Sequence, residues 1–96
     1  MIGYIVKVVY TAKPGNESGG IRTYYIGKGG CSDPHYWWVK AWKSERWARD
    51  YVRNDSEWEK RHPDRFWDIE YTIMKVDARG ELMIPREILS EVPVTM

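Results

Sequence analysis

The chain has 96 residues, with 15 Lys or Arg and 14 Asp or Glu, so its formal net charge is +1 at pH 7. This length predicts a single domain, residues 1–96, with a thin core. The balanced charge excludes an overall positive field that would favour nucleic acid or an anionic membrane, and the sequence lacks the run of about 18 apolar residues that a transmembrane helix needs.

Two β-strands are predicted in the first part of the chain. Residues 2–11 and residues 21–27 are both rich in β-branched and aromatic side chains, and a Gly-rich loop lies between them. Because that loop is too short for a parallel crossover, we expect an antiparallel hairpin. The first strand has two largely buried faces, one with Tyr4, Val6 and Val8 and the other with Ile5, Lys7 and Val9.

A turn at residues 28–34 precedes an aromatic stretch, residues 36–39, which is interpreted as a third short strand or an extended packing segment. Ser44 is a good helix N-cap, and His62 and Pro63 end the helix, so we expect it near residues 45–61. Its predicted buried stripe contains Trp47, Ala48, Tyr51, Val52, Asp55 and Trp58. Its solvated side contains Arg46, Arg49, Asp50, Arg53, Glu57 and Lys60.

Residues 67–76 form the clearest half-buried strand, because Trp67, Ile69, Tyr71 and Ile73 alternate with Asp68, Glu70 and Thr72. After a turn at residues 77–80, residues 81–84 are predicted as a short return strand. The C-terminal tail, residues 85–96, would begin with a helical turn at Pro85 that includes Ile88 and Leu89. The predicted fold class is α+β: a small, mostly antiparallel sheet in the order β-β-(β)-α-β-(β), with one main helix packed on one face.

The expected compartment is the cytoplasm. Cys31 is the sole cysteine of the sequence, which excludes an intramolecular disulfide and fits a reducing environment. The apolar residues 1–10 contain Lys7 and lack the basic leader of a signal peptide.

The predicted order strand, strand, helix, strand over residues 2–76, with AWKSERWARDYV (residues 41–52) opening the helix, resembles small uncharacterised phage and prophage proteins. Some phage proteins of this size are inhibitors of host defence, such as anti-CRISPR proteins. The resemblance therefore implies a host protein as the partner.

A second resemblance is to the GIY-YIG nucleases, whose two-strand signature is similar to Gly3-Tyr4-Ile5 and Tyr25-Ile26-Gly27. In that family a Tyr assists as a base, an Arg on the following helix stabilises the phosphoryl charge and a Glu holds the metal. The resemblance assigns these roles to Tyr4 and Tyr25, to Arg46 or Arg49, and to Glu70. A third resemblance, of KVDARGELMIPREI (residues 75–88), is to the first half of the AbrB-type swapped-hairpin DNA-binding fold.

The main candidate site is an aromatic and basic segment made of Tyr36, Trp37, Trp38, Lys40, Trp42, Lys43 and Arg46. Rings interleaved with cations are typical of protein-binding hot spots and of platforms for single-stranded nucleic acid. Packing in a thin aromatic core is the structural alternative for part of these rings. We expect a non-enzymatic protein that binds a host protein with these rings as anchors. The alternatives are a nucleic-acid-binding protein and a metal-dependent nuclease of the GIY-YIG type.

We expect no catalytic residue, no bound metal and no cofactor. Cys31, Asp33, His35 and His62 match the spacing of no common zinc site and are interpreted as loop residues. Lys28–Gly30 is interpreted as a turn, because no helix directly follows it to complete a phosphate site. The expected assembly is a monomer or a homodimer formed at a sheet edge.

Overall fold

The computed structural model describes residues 1–17, 19–77 and 87–94. It confirms the α+β class: one helix packs on a five-stranded antiparallel sheet. The elements are β1 (Ile2–Ala12), β2 (Ile21–Ile26), β3 (Ser32–Asp33), α1 (Glu45–Arg61), β4 (Trp67–Asp77) and β5 (Ile88–Val94). Two 3₁₀ turns, Lys28–Gly30 and Tyr36–Trp38, lie between β2 and α1. Within the described ranges, no helix is long and apolar enough to cross a membrane.

The sheet is centred on β1, and its strand order is β3-β2-β1-β4-β5. Val6 of β1 lies opposite Ile26 of β2 on one side and Ile73 of β4 on the other. The pairing of β1 with β4 runs from Ile2 opposite Asp77 to Ala12 opposite Trp67. β1 is therefore hydrogen-bonded along its full length, which fits its apolar, β-branched sequence.

Both faces of the sheet are partly covered, as the two apolar faces of β1 predict. On the first face α1 packs over β1 and β4 in a buried cluster of Val6, Val8, Ile26, Trp42, Ala48, Val52, Tyr71 and Ile73. A smaller buried cluster of Ile5, Val39, Met74 and Val76 lies on the opposite face. The sheet is thus the middle layer between α1 and the segment that contains Val39.

The segment from Val39 to Trp42 passes from one face of the sheet to the other. Val39 belongs to the smaller cluster, whereas Trp42 belongs to the cluster under α1. The backbones of Tyr4 and Trp42 exchange two hydrogen bonds of 2.8 Å, which extend the sheet beside β1. Gly27 lies against this segment, where a Cβ atom would come within 2.3 Å of the Lys40 carbonyl oxygen.

The structure corrects two details around α1. Residues 36–38 form a 3₁₀ turn, and the third strand is instead Ser32–Asp33. Trp47 and Trp58 were expected in the buried stripe, but they are 56% and 51% exposed. The centre of the buried face follows Ala48, Val52 and Ser56 at a spacing of four residues, so both Trp residues lie on one flank of the helix.

The C-terminal prediction is wrong where the structure describes it. Ile88 and Leu89 lie in β5, which pairs with the outer side of β4, rather than in a helical turn. A β-branched run beside an open strand gains more from backbone pairing than from a single helical turn. The predicted return strand at residues 81–84 and the proposed start of the turn at Pro85 lie outside the described residues.

Candidate functional site

The aromatic segment after β3 is held to the sheet by buried side chains and backbone hydrogen bonds. Val39 and Trp42 are buried, and the backbone N–H of Lys28 donates to the carbonyl of Lys40 at 2.7 Å. Between and beside these fixed points, side chains point to solvent, and Trp38 is 52% exposed. The chain therefore presents a large ring on a well-fixed backbone.

Five exposed side chains between residues 38 and 47 of the chain make up what we call the Trp38–Trp47 surface, which runs around the edge of the sheet: Trp38, Lys40, Lys43, Arg46 and Trp47. Trp47 is included because it is exposed in the first turn of α1, directly after this segment. Lys28 belongs to the same end of the molecule through its backbone bond to Lys40. Among described residues, Lys28, Lys43 and Arg46 make no ion pair, so this end carries a positive potential.

The remaining predicted residues of the site support this surface from beneath. Trp42 is a core residue and is not available as an anchor, since it packs in the main cluster with its ring centroid 5.6 Å from that of Tyr51. Tyr36 and Trp37 are half-buried, with ring centroids 5.1 Å apart, and Tyr36 also contacts Tyr25 edge to face. These rings position the turn that carries Trp38.

The residues suggested by the nuclease resemblance do not converge in this fold. Tyr4 packs with the cluster under α1, whereas Tyr25 packs with the cluster on the opposite face. Glu70 is exposed and lies opposite Val9, near the far end of β1. The two tyrosines therefore do not share a site. Most of the AbrB-like segment, residues 75–88, lies outside the described residues.

The residues considered as metal ligands have local roles instead. Asp33 accepts hydrogen bonds from the backbone N–H of His35 at 2.9 Å and contacts its ring Nδ1 at 3.2 Å. His62 stacks on Trp58 at the end of α1, with ring centroids 4.4 Å apart. Within the described part of the chain, no three His, Cys, Asp or Glu side chains are placed to hold a metal ion.

A cleft that sequence reasoning did not find lies between the C-terminal half of α1 and the strands β4 and β5. Its volume is about 600 Å³, and its walls include Glu59, Asp64, Trp67 and Tyr71. This volume is in the range of small-molecule sites. The cleft shares no residue with the Trp38–Trp47 surface.

A tyrosine–carboxylate cluster lies beside this cleft. The hydroxyl of Tyr71 donates a hydrogen bond to the carboxylate of Asp55. Burial, this hydrogen bond and the charge of Asp55 together raise the pKa of Tyr71 well above its ordinary value. Burial and Asp55 likewise raise the pKa of Tyr10 and of Tyr51. Tyr71 therefore remains a protonated hydrogen-bond donor and cannot serve as a base at neutral pH.

The carboxylates at this end of the helix also affect one another. Burial first, and then the charges of Asp55 and Asp64, raise the pKa of Glu59, while His62 opposes the shift. Asp55 and Asp64 therefore act on the Glu59 carboxyl as negative neighbours, although Lys60 and Arg61 lie in the same last turn of α1. The sequence signal for this cluster was Asp55, the one acidic residue in an otherwise apolar helical stripe.

Comparison with protein-family models, with curated proteins and with solved structures finds no match to this chain.

Proposed function

We propose that this chain is a non-enzymatic binding protein that docks on a partner protein through the Trp38–Trp47 surface. The observation that carries this proposal is the exposed ring of Trp38 on a backbone fixed by buried Val39 and Trp42. Because the backbone that carries this ring is already fixed, binding costs the conformational entropy of the side chain alone. Trp is also among the residues most enriched at the energetic centres of interfaces.

The charge of the surface defines the kind of partner. Lys40, Lys43 and Arg46 follow one another along the chain between Trp38 and Trp47 and are exposed, so a protein with an acidic patch beside an apolar pocket is the complementary partner. The resemblance to small phage proteins supports a host protein in this role, and a component of host defence is a reasonable first class to test.

The mechanism follows from the two kinds of side chain. The rings of Trp38 and Trp47 would be buried in the partner and exclude water from the centre of the contact. The surrounding cations would speed association and favour an acidic partner. Binding would act by occupying a surface on the partner, which requires no catalytic group on this chain.

The proposal is tested by capture of a bacterial protein from lysate with tagged wild-type protein, before and after nuclease treatment. We expect a stoichiometric protein partner that survives the nuclease. Trp38→Ala should reduce capture at least about tenfold, as removal of a central aromatic anchor does, while the circular dichroism spectrum stays unchanged.

The matched control is Trp58→Ala, because Trp58 is exposed to the same extent as Trp38 but lies at the other end of α1. Capture by this variant should equal that of the wild type. The proposal fails if Trp38→Ala captures the partner as well as the wild type, or if both variants lose it equally.

A second candidate function, binding of single-stranded nucleic acid, is favoured by the exposed cations Lys28, Lys43 and Arg46, which form no ion pair with another described residue, and by exposed rings in the same part of the chain. Bases stack on such rings while the cations neutralise phosphates. Anisotropy of a labelled oligonucleotide measures this directly. Three phosphate contacts predict that log affinity falls with log salt at a slope of about −2, and absent or salt-independent binding removes the candidate.

A further inference from the structure

The cleft beside α1 has the shape of a ligand site. One wall is the C-terminal half of the helix, with Ser56 and Glu59, and the floor is β4, with Ile69 and Tyr71. The end of β5 closes the far side at Val94. The lining mixes apolar and aromatic side chains with six charged residues, so charge as well as shape would select a ligand.

The electrostatics of the cleft favour a positive ligand. Its lining includes four carboxylates, Glu59, Asp64, Asp68 and Glu70, against two ammonium groups, Lys13 and Lys60. Lys13 is already engaged, since its Nζ donates to the backbone carbonyl of Asp64 at 2.7 Å and lies 3.9 Å from Asp68. The C-terminal end of α1 adds the partial negative charge of the helix dipole.

One ring in the cleft wall, Trp67, makes a cation–π contact with Arg22, which does not itself line the cleft. The guanidinium carbon of Arg22 lies 5.0 Å from the centroid of the Trp67 ring, within the range of a cation–π contact. Tyr71, further along β4, adds a second aromatic side chain to the lining. The raised pKa of Glu59 agrees with this picture, because burial and then the neighbouring carboxylates disfavour its charged form, and a bound cation would favour it.

We infer that this cleft binds a small organic cation, an ammonium or guanidinium group carried on a short aliphatic or aromatic body. The cation would lie between the carboxylate of Glu59 and the aromatic wall, and the body would contact Ile69 and Val94. The inference does not depend on the proposed function, because the cleft and the Trp38–Trp47 surface share no residue.

The test is an NMR titration of the labelled protein with agmatine, which carries both an ammonium and a guanidinium group, at low ionic strength. We expect saturable shifts of the Trp67 indole N–H and of backbone amides around Glu59. The same titration with 1,4-butanediol, which has the four-carbon chain without charge, should produce none of these shifts.

Three variants make the result specific. Glu59→Gln should weaken agmatine binding about fivefold or more, since it removes a charged acceptor. The control Glu57→Gln makes the same charge change on an exposed helix position outside the cleft and should stay within about twofold of the wild type. Lys60→Gln removes a rim cation and should tighten binding, which gives a readout even if Glu59→Gln does not fold.

The inference is overturned if agmatine produces no saturable shift at Trp67, or if 1,4-butanediol shifts the same signals equally. Equal weakening by Glu57→Gln and Glu59→Gln would also overturn it, because binding would then report only the overall charge.

Discussion

Trp38 and Trp42 lie four residues apart and have opposite roles. Trp42 is buried under α1, whereas Trp38, which directly precedes Val39 in the chain, is half exposed. Sequence reasoning placed both rings in one binding segment, because composition does not reveal which ring the sheet will cover. Only the backbone pairing of Tyr4 with Trp42 decides it, and that contact links residues far apart in the chain.

The two rings should therefore differ in stability experiments. Trp42→Ala is expected to lower the free energy of unfolding by about 3–5 kcal/mol, as loss of a buried aromatic side chain does, whereas Trp38→Ala should cost less than about 1 kcal/mol. Urea denaturation followed by far-UV circular dichroism measures both. A large loss for Trp38→Ala would place this ring in the core and remove the main support for the binding surface.

Tyr71 predicts a specific dependence of stability on pH. Its pKa is raised in the folded protein, so below pH 10 the phenol is protonated in both states and its contribution is fully present. As the pH rises above about 10, the unfolded chain ionises first, and stability falls by up to about 1.4 kcal/mol per pH unit for this group. Tyr71→Phe removes this ionising group, so the free energy of unfolding should fall less steeply with pH, by up to about 1.4 kcal/mol per pH unit. Denaturation experiments between pH 9 and 11 measure this slope.

At neutral pH the same variant probes the hydrogen bond to Asp55. Tyr71→Phe leaves a partly buried carboxylate without its donor, which should cost about 1–3 kcal/mol. A double-mutant cycle with Asp55→Asn isolates the pair, and we expect a coupling energy of at least about 0.5 kcal/mol. Additive effects of the two substitutions would show that the hydrogen bond is not formed in solution.

At the scale of elements, the strands and the helix were readable where one face of a segment is consistently apolar. The alternation of Ile69, Tyr71 and Ile73 identified β4, and Ser44 with His62 marked the two ends of α1. The prediction that Trp47 and Trp58 belong to the buried stripe of α1 was wrong, because hydropathy does not distinguish a ring at the edge of a helix face from one at its centre. The role of Ile88 and Leu89 depends on the open edge of β4, which is a tertiary property.

The crossing of the sheet by the segment after Val39 depends on Gly27. A Cβ atom there would lie 2.3 Å from the Lys40 carbonyl oxygen and 2.9 Å from its nitrogen. Gly27→Ala should therefore displace the Trp38–Trp47 surface and lower stability by about 1–3 kcal/mol. The control is Gly15→Ala, where the new Cβ meets no atom within 4 Å and only the positive φ of 92° opposes it, which costs about 1 kcal/mol.

Thermal denaturation compares the two glycine variants, and partner capture shows whether the surface has moved. Gly27→Ala should impair both, whereas Gly15→Ala should leave capture intact. Equal effects of the two substitutions on stability and capture would mean that close approach at Gly27 does not position the segment.

At the scale of the whole molecule, the net charge of +1 conceals local groups of like charge. Lys28, Lys43 and Arg46 lie near the start of α1, where Glu45 is the acid of the first turn, and Asp55, Glu59 and Asp64 influence one another toward its end, where the last turn also carries Lys60 and Arg61. A count of charges along the sequence could not show this, because residues distant in the chain, such as Lys28 and Lys40, are brought together by backbone pairing. The two candidate sites thus favour ligands of opposite sign.

The edges of the sheet predict the oligomeric state. β5 forms one edge of the described sheet, and Pro93 removes a backbone donor from it while a bulge at Lys75 and Val76 interrupts its register. Both features oppose pairing with a second copy through β5. The opposite edge strand, β3, has only two residues, and so short an edge also offers little for pairing. We therefore expect a monomer of 11.4 kDa by sedimentation equilibrium, and a concentration-dependent dimer would contradict this expectation.

The Trp38–Trp47 surface as the site of partner binding is tested most directly by hydrogen–deuterium exchange of the chain with and without its captured partner. We predict slower exchange at residues 28–30 and 38–47 in the complex, with residues 59–72 at the cleft unchanged. Protection confined to the cleft, or to the outer strand β5, would contradict the account and place the interface elsewhere.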